Sequence, residues 1–313
     1  MLSPKAEKII EEYFNLPFDG AAGIRCPYYN NSRRGQRGQL RALIGKGAPE
    51  EIVEEAKIIS IQYHHGLFDK DGHCCIHGDH GDGQQAESIR KFLIDHDLGV
   101  DCSGFAAQVL SAYFKETKGV DIGRRFQFWP RKYFFRWLIA KLRPIENMSV
   151  RVFAKNVNSE KIFDGRGAID AGKILPGDIV IMLETGPDKK RNHIILFTDI
   201  TAGVLQYVSA RAWSSEGKYG HGVARGIIRM TKPGGNLLEQ TWDIEHLSEK
   251  CHGHFESRWT EKYPSDCHHD KCPDSRPDRI PGYPFHILQR VMNLQKDSVI
   301  KPPCGEGPIC AVP

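Results

Sequence analysis

The sequence predicts an α+β fold in which a helical first half precedes an antiparallel sheet. Three observations lead to this prediction. Apolar residues recur at helical spacing up to about residue 142, and from Asp178 onward short apolar runs alternate with Gly and Pro. Within the helical half, the run 101–114 opens a helix on a cysteine. With 313 residues, 40% of them hydrophobic, the chain can hold one large domain or two small ones.

Three helices are predicted before residue 98, at 4–14, 49–62 and 84–96. The first ends before Pro17, and the second begins with a proline followed by two glutamates in its first turn. We expect them to form a helical N-terminal extension, 1–98, that includes a His- and Cys-rich loop at 73–80. Residues 1–16 are charged and amphipathic, unlike a signal peptide, so the sequence indicates a cytoplasmic protein and leaves an export route open.

The central helix begins at Asp101, Cys102, Ser103 and Gly104. Asp101 is a favourable N-cap residue, because its carboxylate can accept a hydrogen bond from an N–H of the first turn. Cys102 then occupies the first helical position, beside the positive end of the helix dipole. This position predicts a thiol with a lowered pKa, suited to act as a nucleophile. The alternative is a small buried hydrophobic residue at a helix end.

A further amphipathic helix is predicted at 126–142, with one aromatic and one basic face. Packing over the core is the expected role, and binding to a membrane surface is the alternative. From Ile179, strands are predicted at 179–183, 193–199, 204–210 and 225–231, and 236–244 extends the set. Residues 285–294 are apolar enough to return to the core as a last strand or a short helix.

Composition excludes some classes of function. A net charge of +4 is too small to indicate nucleic-acid binding, and no apolar run reaches the roughly 18 residues of a transmembrane helix. The chain has nine cysteines, and five of them lie after residue 250. The segments 73–80 and 251–272 could bind zinc, but neither has a standard ligand spacing, and the alternatives are a loop and a surface insertion. No cofactor or metal is assigned.

Three motifs resemble the NlpC-type cell-wall endopeptidases, which are papain-like cysteine peptidases. They are Asp101-Cys102-Ser103-Gly104-Phe105, then 175–180 (LPGDIV), then 192–197 (NHIILF). The resemblance covers about residues 100–231. It implies a nucleophile helix packed on an antiparallel sheet in a catalytic core at 99–245, followed by a Cys-, His- and Pro-rich C-terminal segment at 246–313.

The resemblance also implies a catalytic set. Cys102 would be the nucleophile, His193 the general base and acid, and Ser209 the residue that orients the imidazole, with His221 as an alternative to Ser209. The implied reaction is hydrolysis of an amide bond in a peptidoglycan stem peptide, and the implied partner is a peptide or peptidoglycan fragment. Two alternatives stay open: a thiol acyltransferase or amidase of the same superfamily, and a catalytically weak binding domain.

Overall fold

A seven-stranded antiparallel sheet carries a layer of helices on one face. The computed structural model describes residues 1–29, 40–69, 82–130, 132–163, 168–185, 191–212, 221–244 and 286–291. The layer of helices on an antiparallel sheet confirms the predicted α+β class.

The helices follow local sequence signals closely. Their bounds are α1 (Pro4–Phe14), α2 (Pro49–Gln62), α3 (Asp82–Asp95), α4 (Cys102–Lys118), α5 (Ile122–Arg125), α6 (Phe134–Leu142), α7 (Pro144–Asn147) and α8 (Val150–Phe153). The predicted bounds of α1 and α2 are confirmed. Helix α4 extends beyond the predicted range of 101–114 and ends at Lys118. Gly119 follows in the left-handed conformation, with a φ of 64°, and terminates the helix.

The predicted continuous helix over 126–142 is wrong. Phe126 and Phe128 are buried, and Phe126 already has an extended backbone (φ −63°, ψ 141°). Pro130 follows, and a proline disfavours helical geometry in the residue before it. Helix α6 therefore begins only at Phe134. Within α6, Ala140 is the one residue that is fully buried, so its apolar face does not cover the core as expected.

The strands are β1 (Ser159–Phe163), β2 (Ile179–Thr185), β3 (Arg191–Thr201), β4 (Val204–Arg211), β5 (Gly222–Arg229), β6 (Thr241–Ile244) and β7 (His286–Val291). Their order in the sheet is β1-β7-β2-β3-β4-β5-β6. Within the segment predicted at 285–294, the described residues, 286–291, form strand β7, which lies between β1 and β2. Strand β1 has no counterpart in the prediction.

Strands β3 and β4 form a hairpin whose turn residues, Ala202 and Gly203, both have positive φ. Their ladder runs from Thr201–Val204 to Leu196–Val208. Beyond that pair, β4 continues its pairing with β5 as far as Arg211–Gly222. The amino end of β3 is paired with β2 instead.

Two hydrophobic clusters separate the faces of the sheet. The first lies between the sheet and the helices and includes Ile194 and Leu196 of β3; the second lies on the opposite face and includes Ile195 and Phe197. The alternation of these four residues follows the two-residue period of a strand. The first cluster runs from Leu2 to Val223, so the helices of 1–98 and the strands of 99–245 share one core.

No helix within the described ranges is long and apolar enough to cross a bilayer.

A close contact between α4 and the loop at residue 45 generates the first prediction. A Cβ at Gly104 would overlap the carbonyl oxygen of Gly45 and lie 3.1 Å from the Cα of Lys46. We expect Gly104→Ala to lower the free energy of unfolding by about 1–3 kcal/mol, because both obstacles are backbone atoms. This is the net change, after the gain of about 1 kcal/mol that alanine brings through its higher helix propensity.

Urea unfolding followed by circular dichroism measures this change. Ser111→Ala is the control in the same helix, because the Ser111 hydroxyl is buried without a hydrogen-bond partner among the described residues. It should leave stability unchanged or slightly raised. A Gly104→Ala protein as stable as the wild type would contradict the close contact.

Candidate active site

Cys102 is the first residue of α4, and its position is fixed by the cap. Asp101 has an extended backbone (φ −83°, ψ 165°), and its carboxylate accepts a hydrogen bond from the Gly104 N–H at 2.5 Å. The predicted N-cap is confirmed. Ser103 Oγ donates to the same carboxylate oxygen at 3.0 Å.

The backbone leading into α4 is held between two loops. The Asp101 N–H donates to the Gly45 carbonyl at 2.9 Å, and the Val100 N–H donates to the Pro27 carbonyl at 3.0 Å. Gly45 has a φ of 73°, and a Cβ there would lie 3.1 Å from the Asp101 nitrogen. A glycine is therefore needed at this close approach.

Lys46 is the centre of a buried polar network. Its side chain is only 4% exposed. Its ammonium donates to Asp101 Oδ1 at 2.7 Å, to Ser103 Oγ at 2.6 Å and to the Met148 carbonyl at 2.7 Å. All three protons of the ammonium therefore have acceptors, as a buried charge requires.

The Cys102 thiol is buried against strand β3. Its Sγ lies 3.9 Å from the Asn192 carbonyl oxygen, to which it donates. Burial, and then the negative charge of Asp101, raise the pKa of this thiol to about 12, against the positive charge of Lys46 and the N–H groups of Ile194 and Ser103. The prediction of a lowered pKa is therefore wrong, because desolvation outweighs the favourable charges at the helix start.

His193 is the third residue of β3 and is half-buried. It pairs with Met182 of β2, and Met182 belongs to the second cluster. Paired residues share a face of the sheet, so His193 lies on the face of Ile195 and Phe197, away from α4. Burial, and then the positive charge of Arg211, lower the pKa of its imidazole to about 4.

Ser209 lies on β4, is 2% exposed and pairs with Ala224 of β5. Its neighbours Val208 and Ala210 belong to the first cluster, so alternation places Ser209 on the face opposite α4, as it does His193. Because the β3–β4 ladder ends at Leu196–Val208, Ser209 has no paired residue on β3.

His221, the alternative to Ser209, lies immediately before β5. Its carbonyl oxygen accepts a hydrogen bond from the guanidinium of Arg90 on α3. The backbone of His221 is thus anchored to the helical layer rather than to β3.

The structure brings together some of the predicted residues and separates others. It places the Cys102 thiol against the backbone on either side of His193, and it places His193 and Ser209 on the far face of the sheet. Different charges act on the two reactive groups, Lys46 and Asp101 on the thiol and Arg211 on the imidazole. The thiol and the imidazole are both neutral at pH 7 in this arrangement.

Sequence reasoning missed Lys46 and Arg211. Lys46 stands between two glycines, Gly45 and Gly47. Two glycines around a lysine are the signal for a backbone that approaches another chain segment closely. Arg211 ends β4, is 3% exposed, and gave no signal in the sequence.

The two segments considered for zinc, 73–80 and 251–272, lie outside the described residues. In the part of the chain that the structure describes, no group of three or more His, Cys, Asp or Glu side chains could hold a metal ion.

Comparison with known proteins adds no assignment: no family model, no curated protein and no solved structure matches the chain.

The Lys46 network generates a prediction about stability. We expect Lys46→Met to lower the free energy of unfolding by about 3–5 kcal/mol, because it leaves the Asp101 carboxylate without its cation in a poorly solvated place. The control is Lys8→Met, whose side chain is 75% exposed and whose ion pair with Glu12 lies on the surface of α1. It should change stability by less than about 0.5 kcal/mol.

Urea unfolding of both variants at pH 7 gives the comparison. Equal losses in the two variants would mean that the buried ammonium contributes no more than a surface lysine.

The imidazole of His193 generates a prediction about pH. Its pKa falls from 6.5 to about 4 on folding. Between these values the unfolded chain binds a proton that the folded chain does not, so His193 stabilises the fold above pH 6.5 and this contribution is lost as the pH falls toward 4. His193→Gln should therefore weaken the fall in stability between pH 7 and 4.

Urea unfolding at several pH values in this window measures the slope. His64→Asn is the control: His64 is exposed and has a φ of 53°, which asparagine adopts readily. An unchanged slope in His193→Gln would show that the imidazole titrates alike in the folded and unfolded chains.

Proposed function

We propose that the protein is a papain-like cysteine hydrolase of the NlpC type that cleaves an amide bond, with Cys102 as nucleophile and His193 as general base and acid. The observation that carries the proposal is the thiol at the start of the Asp101-capped helix, held against the β3 backbone beside His193. The helix of Cys102 also precedes strands β2, β3 and β4 in the chain, and this order supports the proposal.

The reaction begins when Cys102 Sγ attacks the carbonyl carbon of the amide and the thiol proton passes to the imidazole. The imidazolium then protonates the leaving amine, and water hydrolyses the thioester. Backbone N–H groups near the start of α4 and Lys46 provide positive potential for the anionic sulfur and the oxyanion.

The pKa values bear on how this proton moves. A thiol of pKa about 12 and an imidazole of pKa about 4 do not form a resting thiolate–imidazolium pair. Catalysis by this pair therefore requires that proton transfer accompany formation of the C–S bond. It also requires that the imidazole, which lies on the opposite face of the sheet, reach the α4 side when substrate binds. Ser209 is the proposed partner that orients the imidazole.

The proposed substrate is a peptidoglycan stem peptide, which rests on the resemblance alone. The same thiol would serve an acyltransferase if an amine or alcohol, instead of water, accepted the acyl group from the thioester. Mass spectrometry of the products distinguishes the two, because hydrolysis leaves a free carboxylate.

The second candidate is a binding domain that does not turn over its ligand. It is favoured by the alternation that sets His193 on the face away from α4, and by a thiol and an imidazole that are both neutral. Such a domain would bind muropeptides and release no product.

The test of the proposal is to incubate the purified protein with muropeptides and follow release of the cleaved peptide by liquid chromatography and mass spectrometry. Cys102→Ala should abolish release, because it removes the proposed nucleophile. Cys26→Ala is the matched control, since Cys26 is also buried and burial also raises the pKa of its thiol to about 12. It should keep wild-type turnover.

His193→Ala should lower turnover about as much as Cys102→Ala, and the double variant should be no worse than either, because residues that act as a unit give non-additive losses. Ser209→Ala should reduce turnover without unfolding the protein, and Ser209→His should keep or raise it. Binding of muropeptides without release, unchanged in Cys102→Ala, would favour the binding domain.

A further inference from the structure

Helix α6 and the residues before it form an unusual surface, which we call the aromatic–basic surface and define as residues 129, 130 and 132–143. Phe135 is 78% exposed, Leu142 73% and Phe134 56%. Trp129, Tyr133 and Ile139 are also exposed. Large apolar side chains exposed side by side indicate an interaction site rather than ordinary surface.

The apolar side chains of α6 lie on one side of the helix. At 100° per residue, Phe134, Phe135, Leu138, Ile139 and Leu142 occupy an arc of about 140°. Ala140, the fully buried residue, lies opposite the middle of that arc. The helix therefore packs on the protein by its small residue and presents its large residues outward.

Basic side chains border the apolar arc. On the same helical projection, Arg136 lies beyond one edge and Lys141 beyond the other. Arg136 is exposed, and its guanidinium lies 5.0 Å from the centre of the Trp129 ring; the Lys132 ammonium lies 5.3 Å from the Tyr133 ring. Aromatic rings beside lysine and arginine are typical of side chains at a membrane–water interface.

The surrounding segment carries the positive charge of the protein. Residues 121–147 contain seven Lys or Arg and two Asp or Glu, a net charge of +5 compared with +4 for the whole chain. Both acidic residues are engaged locally, Asp121 with Arg124 at 3.4 Å and Glu146 with Arg143 at 3.2 Å. The occupant of this surface must therefore be anionic as well as apolar.

We propose that the aromatic–basic surface binds the protein to an anionic membrane, with α6 lying in the plane of the interface. A helix of nine residues is about 14 Å long, too short to span a bilayer. An apolar arc bordered by basic residues suits a helix whose apolar side enters the acyl chains while its cations contact lipid phosphates.

Membrane binding would also orient the candidate site. Helix α7, which follows α6, packs against α4, and the next residue after α7, Met148, accepts a hydrogen bond from Lys46. The bound surface is thus connected by a short, packed segment to the helix that carries Cys102. Membrane binding by this surface does not require catalysis by Cys102.

The experiment is cosedimentation of the full chain with vesicles of phosphatidylcholine alone or mixed with phosphatidylserine. The wild type should bind the mixed vesicles, bind the neutral ones weakly, and lose most binding in high salt. Phe135→Ser combined with Leu142→Ser should weaken binding by at least about tenfold, through lost apolar burial with no change of charge. Lys132→Gln combined with Arg136→Gln should remove binding that depends on phosphatidylserine.

The matched control is Ile58→Ser combined with Tyr63→Ser at α2, where the side chains are 45% and 62% exposed. It should bind mixed vesicles like the wild type. Circular dichroism of each variant checks that it is folded. Failure of the wild type to bind mixed vesicles would overturn the proposal. So would a wild-type dimer, measured by light scattering, that becomes monomeric when Phe135 and Leu142 are replaced.

Discussion

The buried ammonium of Lys46 is the interaction on which the arrangement around Cys102 depends. It joins three segments that are distant in sequence: the loop before α2, the N-cap of α4 and the segment that leads into α8. Removing a charged group from water is costly, and the three hydrogen bonds to Asp101, Ser103 and Met148 offset that cost only in one geometry. The network therefore specifies where α4 begins and holds Cys102 at a defined position.

The same network sets the electrostatics of the thiol. Asp101 is needed to cap α4, yet its charge raises the pKa of Cys102, and Lys46 lowers that pKa again. Burial is larger than either effect, and the thiol is neutral. A buried thiol with a raised pKa is protonated at neutral pH and is therefore a weak nucleophile. That property suits both a hydrolase that is silent without substrate and a domain that only binds.

The sheet imposes the second constraint, because side chains alternate between its faces. The pairing of His193 with Met182 and the packing of Ile194 under α4 assign each residue of β3 to one side. A shift of one residue in this register would turn the imidazole toward α4. The relation between thiol and imidazole therefore rests on strand register. Of the residues of α6, only Ala140 is buried in the core.

Local signals in the sequence determined the bounds of α1 and α2, the N-cap at Asp101 and the hairpin strand β4, because each depends on neighbouring residues. Tertiary structure alone decided the contacts between segments that are distant in the sequence. The partners of Lys46 lie 55 and more residues away, and β7 enters the sheet between β1 and β2 from the far end of the chain. Burial of Cys102 reversed the pKa expected from its helix position, since desolvation depends on everything that packs around a group and not on the residues beside it in the chain.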